Sequence, residues 1–330
     1  MFLPLSNEET ISFLLLHKKT LKSFFVLFVV LIIFSTVGCG THLQPQWTQS
    51  RIAIPRTQEL KTVPFYPQKR YQCGPATLAM VLGWSGNSGN LSRLSKEVYT
   101  PALQGSLQPA LIAAARRHGR IAYPITKPQA LLIELAAGHP VLVLQNLGLS
   151  WFPVWHYAIV VGYDLEEGIM ILHSGVTPFK KISLKVFDNT WSGGGYWGLL
   201  VLPPTLLPET AHEEPFIEAV LGLEKARQWQ AAISGYRTAL RRWPENRYAM
   251  MGLGHSYYQL GHLRSAEFVF RKAVRKFPTE GAAFNNLAQV LREQGKKSEA
   301  LKAAQQAVNL GGSLIEVYRK TLKDIQETLP

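Results

Sequence analysis

The chain changes its hydrophobic rhythm part-way along. From residue 74 to about residue 140, apolar positions recur at helical spacing in GPATLAMVLGW, LSRLSKEVY, LQPALIAAARRHG and QALLIELAAGHP. The third ends at Gly119 and the fourth in Gly-His-Pro, both natural helix stops. After Pro140 the segments become short and rich in Val, Ile and Tyr. PVLVLQNL, WHYAIVVGYD, GIMILHSG and GYWGLLVLPP predict strands, and Glu166-Glu167-Gly168 predicts a hairpin turn between two of them. Helices first and strands later predict an α+β domain over residues 61–205, with helices packed on an antiparallel sheet. A segment of that size can bury a full core.

From residue 213 the pattern is helical throughout and repeats. Ala232, Ala266 and Ala300 are 34 residues apart, as are Tyr236, Phe270 and Ala304; Ala239, Ala273 and Ala307; and Pro244, Pro278 and Gly312. Small residues let two helices approach closely, and the proline ends the second of them. This period and pattern resemble tetratricopeptide repeats. Leu253, Gly254, Tyr257, Ala266, Phe270, Ala273 and Pro278 of the middle repeat fall on that family's positions. The expected array is all-α: repeats at 213–246, 247–280 and 281–314, then a capping helix to residue 330. The first and third repeats lack the Leu-Gly pair, so their boundaries are the softer ones.

Before both regions lies an address. Lys18, Lys19 and Lys22 precede the apolar run Ser23 to Gly38, and Cys39 follows it. The run is shorter than the ~20 residues of a bilayer span and suits the core of a secretory signal. Thr36-Val37-Gly38-Cys39 resembles a bacterial lipobox, with Thr36 where that motif usually has Leu. The resemblance implies a signal peptide over residues 1–38, a lipidated Cys39, and an exported protein anchored in the bacterial envelope. Gly40 after the cysteine implies the outer membrane, facing the periplasm. An uncleaved anchor is the alternative. Residues 39–60 show no periodicity and read as a tether. The formal net charge of +13 raises nucleic acid as a partner. There is, however, no zinc-ligand spacing, no aromatic-and-basic RNA-binding signature and no basic helix face, so none is expected. Anionic headgroups account for the N-terminal lysines and solvated helix faces for the rest. No His, Asp or Glu pair has metal-ligand spacing, and no cofactor is expected.

The chain has two cysteines. In an exported protein a Cys39–Cys73 disulfide is one reading. If Cys39 carries lipid, Cys73 is instead a lone thiol that must be buried or used. Its setting, Tyr66-Pro67-Gln68 and then Tyr71-Gln72-Cys73-Gly74-Pro75-Ala76, places it at the start of an apolar helix. Unpaired N–H groups and the helix dipole there favour a thiolate. A histidine can supply the base and form a thiolate–imidazolium pair, and a side-chain amide can hold an oxyanion.

These residues, with Trp155-His156-Tyr157-Ala158-Ile159-Val160-Val161-Gly162-Tyr163-Asp164, resemble the bacteriocin-processing (double-glycine leader) cysteine peptidases and their free-standing relatives. The resemblance spans roughly residues 63–204 and implies a papain-like fold. It further implies Cys73 as nucleophile, His156 as base and Gln68 in the oxyanion hole. The family's orienting aspartate, about 17 residues after the histidine, falls on His173. That residue lacks the negative charge that favours imidazolium. His173 is therefore a candidate orienter, with Asp188 and Asn189 as substitutes; Asp164 reads as a turn residue facing solvent. His118 and His139 stand at helix ends as partners of the dipole. Trp151, Phe152, Trp155 and Tyr157 crowd His156, either as core or as walls of a cleft for an apolar or glycine-rich peptide.

The expected function is hydrolysis of peptide or amide bonds by an exported, lipid-anchored cysteine peptidase whose repeats dock a protein partner or substrate. The alternative is a non-catalytic peptide-binding module, or a scaffold with a degenerate peptidase domain. The missing aspartate argues for the alternative, and retained Cys73, His156 and Gln68 argue against it. Transfer or amidase chemistry at the same dyad is not separable from proteolysis by sequence.

Overall fold

A computed structural model describes Trp47 and residues 53–87 and 89–327. The signal segment, Cys39 and most of the tether lie outside the described residues. In the first half, α1 (Cys73–Trp84), α2 (Leu91–Val98), α3 (Gln108–Arg117) and α4 (Pro128–Ala136) are the four predicted helices. The predicted strands are β5 (Val141–Asn146), β6 (Trp155–Asp164), β7 (Ile169–Ser174) and β9 (Gly198–Leu202). A short hairpin, β2 (Tyr99–Thr100) with β3 (Gly105–Ser106), lies between α2 and α3.

Four further elements escape the hydrophobic pattern. β1 (Thr57–Glu59) lies inside the expected tether and pairs with the end of β6, Glu59 opposite Gly162. The tether reading is corrected there: Leu60 is buried, and so is Trp47, whose indole packs on Phe187 and Trp191. β4 (Ile121–Ile125) contains Pro124, which a central strand would not accept. The sheet order β4-β9-β5-β6-β7-β8 puts β4 at an edge. β8 (Thr177–Ser183) is the opposite edge, with exposed Lys180 and Lys181 that discourage further pairing. α5 (Leu184–Gly193) is capped by Ser183, whose hydroxyl accepts from the Val186 N–H at 3.3 Å.

All these pairings are antiparallel. β6 is buried from Tyr157 to Tyr163, on both faces, because α1, α4 and neighbouring strands cover it. That explains why WHYAIVVGYD reads as a continuous apolar run rather than an alternating one.

The second half is three helix pairs and a last helix. They are α6 (Glu213–Lys225) with α7 (Trp229–Arg242), α8 (Arg247–Gln259) with α9 (Leu263–Lys276), α10 (Gly281–Glu293) with α11 (Lys297–Leu310), and α12 (Ile315–Glu327). Their starts coincide with the predicted 34-residue frame, including the two repeats without a Leu-Gly pair. In the middle repeat a Cβ on Gly254 would stand 2.6 Å from the Phe270 ring, so only glycine admits that ring. The first repeat solves the same contact in reverse: Val220 takes the glycine's place and Gly235, on the facing helix, makes room for it.

Polar groups join the halves. Buried Glu134 of α4 accepts from the Thr210 N–H at 2.7 Å and hydroxyl at 2.6 Å, and its other oxygen lies 2.6 Å from His139 Nδ1. His139 is thus a buried hydrogen-bond partner of Glu134. The Tyr123 hydroxyl accepts from the His212 N–H at 3.2 Å and donates to the Thr210 carbonyl at 3.4 Å.

Candidate active site

Cys73 opens α1, with a free, partly buried thiol. The residues around it crowd the helix start. A Cβ on Gly74 would sit 2.4 Å from Ser106 Oγ in β3, so Gly74 is required by close approach. The sulfur lies against the backbone of Tyr157 in β6, one residue after His156. Tyr157 itself is buried, its hydroxyl donating to the Ser106 carbonyl at 3.1 Å.

Gln68 is held at three atoms. Its Nε2 donates to the Tyr157 carbonyl at 3.2 Å, and its Oε1 accepts from the Gly175 N–H at 3.2 Å. Its own N–H donates to the Gly175 carbonyl at 3.0 Å. Nε2 keeps a second hydrogen. His156 Nε2 lies 2.9 Å from Ser174 Oγ. The turn after β7 therefore fixes both groups, the histidine through Ser174 and the glutamine through Gly175. Tyr157 ties the same glutamine to the backbone that faces Cys73. Among the described residues no hydrogen bond joins Cys73 directly to His156.

His173 does not orient His156, and that expectation is corrected. Its Nε2 lies 3.2 Å from the Val63 carbonyl, its Nδ1 accepts from the Phe179 N–H at 3.1 Å, and Phe65 and Phe179 pack edge-on against its ring. The reason is the strand period. His173 pairs with Ile159 and shares its face; Ser174, one residue on, lies on the face of His156. Asp188 is no substitute either. It is buried on α5, where Oδ1 accepts from Trp47 Nε1 at 2.8 Å and from the Tyr196 hydroxyl at 3.0 Å. Asn189 is exposed on the same helix. Asp164 makes the predicted turn, accepting from the Glu166 and Glu167 N–H groups at 3.0 Å each. His118 caps α3 with its ring nitrogen 3.3 Å from Glu97.

Electrostatics depart from a resting ion pair. Burial pushes the Cys73 thiol up, although the backbone N–H groups of Tyr157, Gly74 and Cys73 itself work the other way. Burial, and then the Lys180 charge, pushes His156 down. Desolvation outweighs the helix terminus, so burial favours the thiol and the neutral imidazole over the ion pair. Nε2 lies against a hydroxyl, and among the described residues no carboxylate pairs with the imidazole to stabilise its charged form.

The loop from β5 to β6 stands beside His156. Asn146 Oδ1 accepts from the N–H groups of Gly148 at 3.0 Å and Val154 at 2.9 Å, and Leu149 bridges Phe152. This small frame presents Trp151 and Phe152, 79% and 71% exposed, with Trp155 also exposed. Of the four aromatics expected near the histidine, only Tyr157 is core. Ser174, Gly175 and the Tyr157 backbone were missed in the sequence. A family spacing counted to one residue points next to Ser174, and backbone groups carry no sequence signal.

Residues 60–196 match the model of the Peptidase_C39-like family. Residues 218–261 and 252–313 match that of the tetratricopeptide repeat. Among solved structures, a C39-like peptidase from Bacillus anthracis aligns at 17% identity and TM-score 0.38, over 44% of this chain and 97% of that one. The Sgt2 TPR domain from Aspergillus fumigatus aligns at 17% identity and TM-score 0.34, over 38% and 82%. The first TPR of Spaghetti (RPAP3), bound to the HSP90 peptide SRMEEVD, aligns at 20% identity and TM-score 0.34, over 36% and 92%. No curated protein matches the chain. The chain joins a C39-peptidase-like α+β domain to a C-terminal array of tetratricopeptide repeats.

Proposed function

We propose that this protein is an exported, lipid-anchored cysteine peptidase that cleaves peptide or amide bonds at Cys73, with its repeats docking a partner or substrate segment. One observation carries the reading: a single turn, Ser174–Gly175, holds both His156 and Gln68 around the strand that faces Cys73. His156 uses the nitrogen left free by Ser174. To act as base there, it keeps its other proton on Nε2, donated to the serine hydroxyl.

Because the resting pair is neutral, the thiol proton moves as the sulfur attacks. The S–C bond forms while Nδ1 of His156 takes the proton. The oxyanion is held by the second Nε2–H of Gln68 and by the Cys73 N–H, which has no intrahelical partner in the first turn. The C–N bond then breaks, and the amine leaves with the proton from His156. Water, deprotonated by the same imidazole, cleaves the thioester and restores the thiol. The exposed Trp151, Phe152 and Trp155 favour a substrate with apolar residues near the scissile bond.

The test is release of fluorescence from a pool of quenched peptides by the full chain. Turnover lost in Cys73→Ala and in His156→Ala supports the proposal; turnover unchanged in Cys73→Ala overturns it. The neutral pair and the serine in place of a carboxylate favour a second reading, a peptide-binding module without turnover. It predicts peptide binding with no acyl-thioester trapped on acid quench. For the anchor, incorporation of labelled palmitate should vanish in Cys39→Ser, and equal labelling of both proteins would count against it.

A further inference from the structure

A cavity of about 660 Å³ lies in the repeat array, away from Cys73, between α6 and α8 with Asn286 of α10 beside them. Its apolar lining is Ile217, Leu221 and Met251, with the Tyr248 ring beside them. Ile217 and Leu221 are one helical turn apart on α6, and Glu214 and Glu218 run parallel to them, also one turn apart. Glu213 and Glu224 complete four carboxylates, and no lysine or arginine lines the groove.

This runs against the composition of the chain, which has 35 Lys and Arg to 22 Asp and Glu. Arg241 and Arg242 end α7 and Arg275 and Lys276 end α9, away from the groove; Arg247 stands over the Tyr248 ring and pairs with Glu280 at 3.5 Å rather than with the groove carboxylates. Helix-dipole complementarity accounts for Glu213 and Glu214 in the first turn of α6, but not for Glu218 in mid-helix or Glu224 in the last turn. Glu224 is engaged within the groove, accepting from Ser256 Oγ at 3.1 Å and lying 3.4 Å from His255 Nδ1. Glu213 accepts from Asn246 Nδ2 at 2.7 Å. Glu218 feels Arg116 of α3, which lies against α6 at Gly222. Among the described residues none of the four makes an ion pair with a lysine or arginine. Like charges one turn apart repel each other, and a ligand cation between Glu214 and Glu218 would relieve that repulsion.

We infer that this groove docks a cationic segment of a partner protein, in which lysine or arginine side chains alternate with an apolar residue. The apolar side chain seats on Ile217, Leu221 and Met251, and the cations reach Glu214 and Glu218 along the rim. This rests on the reading that the repeats dock a partner, and adds the chemistry of what they take.

The experiment is fluorescence anisotropy on the full chain carrying Cys73→Ala, which prevents cleavage. The probes are three labelled nonapeptides: lysine, leucine and serine in equal shares; the same with glutamate for lysine; and the same with serine for lysine. The lysine peptide should bind tightest and weaken as salt rises through about 0.5 M, where screening shortens to a few ångströms. Glu214→Gln with Glu218→Gln should weaken it roughly ten-fold, as expected for two partly desolvated ion pairs. Tyr248→Ala should weaken all binding that uses the apolar floor. Both sets of side chains are on the surface, so thermal unfolding should be unchanged. Binding of the glutamate peptide as tight as the lysine one, or lysine-peptide binding indifferent to the double substitution, overturns the inference while leaving partner docking standing. Binding of none of the three overturns the docking reading itself. The peptidase proposal is tested separately, by turnover at Cys73.

Discussion

The surroundings of Cys73 and the groove of the repeats handle charge in opposite ways. At Cys73 burial favours the neutral forms of both the thiol and the imidazole, and the neighbouring groups are hydroxyl, amide and backbone. In the repeats four carboxylates line a groove: Glu213, Glu214 and Glu218 are exposed to water, and Glu224 is hydrogen-bonded within it. The first site gathers residues from positions 68, 73, 106, 157 and 174, so it exists only when the whole domain is folded. The second is built mainly from two neighbouring inner helices. A desolvated site sets proton positions, whereas a solvated one sets which partner is attracted.

The largest effect that separates the two regions is chemical. Cys73→Ala or His156→Ala should lower peptide turnover by about 10⁴-fold, by analogy with loss of a member of a nucleophile–base pair, without changing lysine-peptide binding to the groove. Gln68→Ala should follow, with about 10² to 10³ lost in kcat and little change in KM, as for one oxyanion donor. An equal loss in KM would recast Gln68 as a substrate-binding group.

Ser174→Asp should blur the contrast by putting a charge at the buried site. A carboxylate next to His156 raises the imidazole and, through it, lowers the thiol, so the pH profile of Cys73 alkylation should move down by about one unit or more. In the unaltered protein the sign is the reverse. Burial penalises the thiolate, so alkylation should climb only above the range of a free thiol, and the acid limb of turnover should fall below that of a free imidazole. An alkylation plateau below neutral pH would mean that a thiolate–imidazolium pair exists at rest.

The smallest effect is confined to the repeats. Gly254→Ala drives a methyl into the Phe270 ring and should destabilise the array by about 1–3 kcal/mol in denaturant unfolding. Cys73 alkylation should be unaffected at temperatures where both regions stay folded.

Much of the fold was legible. Strand β6 lies at WHYAIVVGYD residue for residue, and the repeat helices fall on the 34-residue frame. What escaped had physical reasons. Pro124 disguises an edge strand, lysines disguise the opposite edge, and β1 is three residues of a stretch without periodicity. At the site, Gln68, Cys73 and His156 could be named, but their supports could not. A count along the chain stopped at His173, and the pleat of β7 turned that ring into the core and Ser174 toward His156.

The sequence by itself determined most of the helices, the central strands, the repeat period and the candidate nucleophile, base and amide, because local spacing and residue chemistry are written along the chain. Only the tertiary structure decided that burial favours a neutral thiol and imidazole, that Ser174 rather than His173 meets the His156 ring, and that the carboxylates of α6 share a groove with α8. Those properties depend on burial and on which strand face meets which helix, and both are settled by packing between residues far apart in sequence.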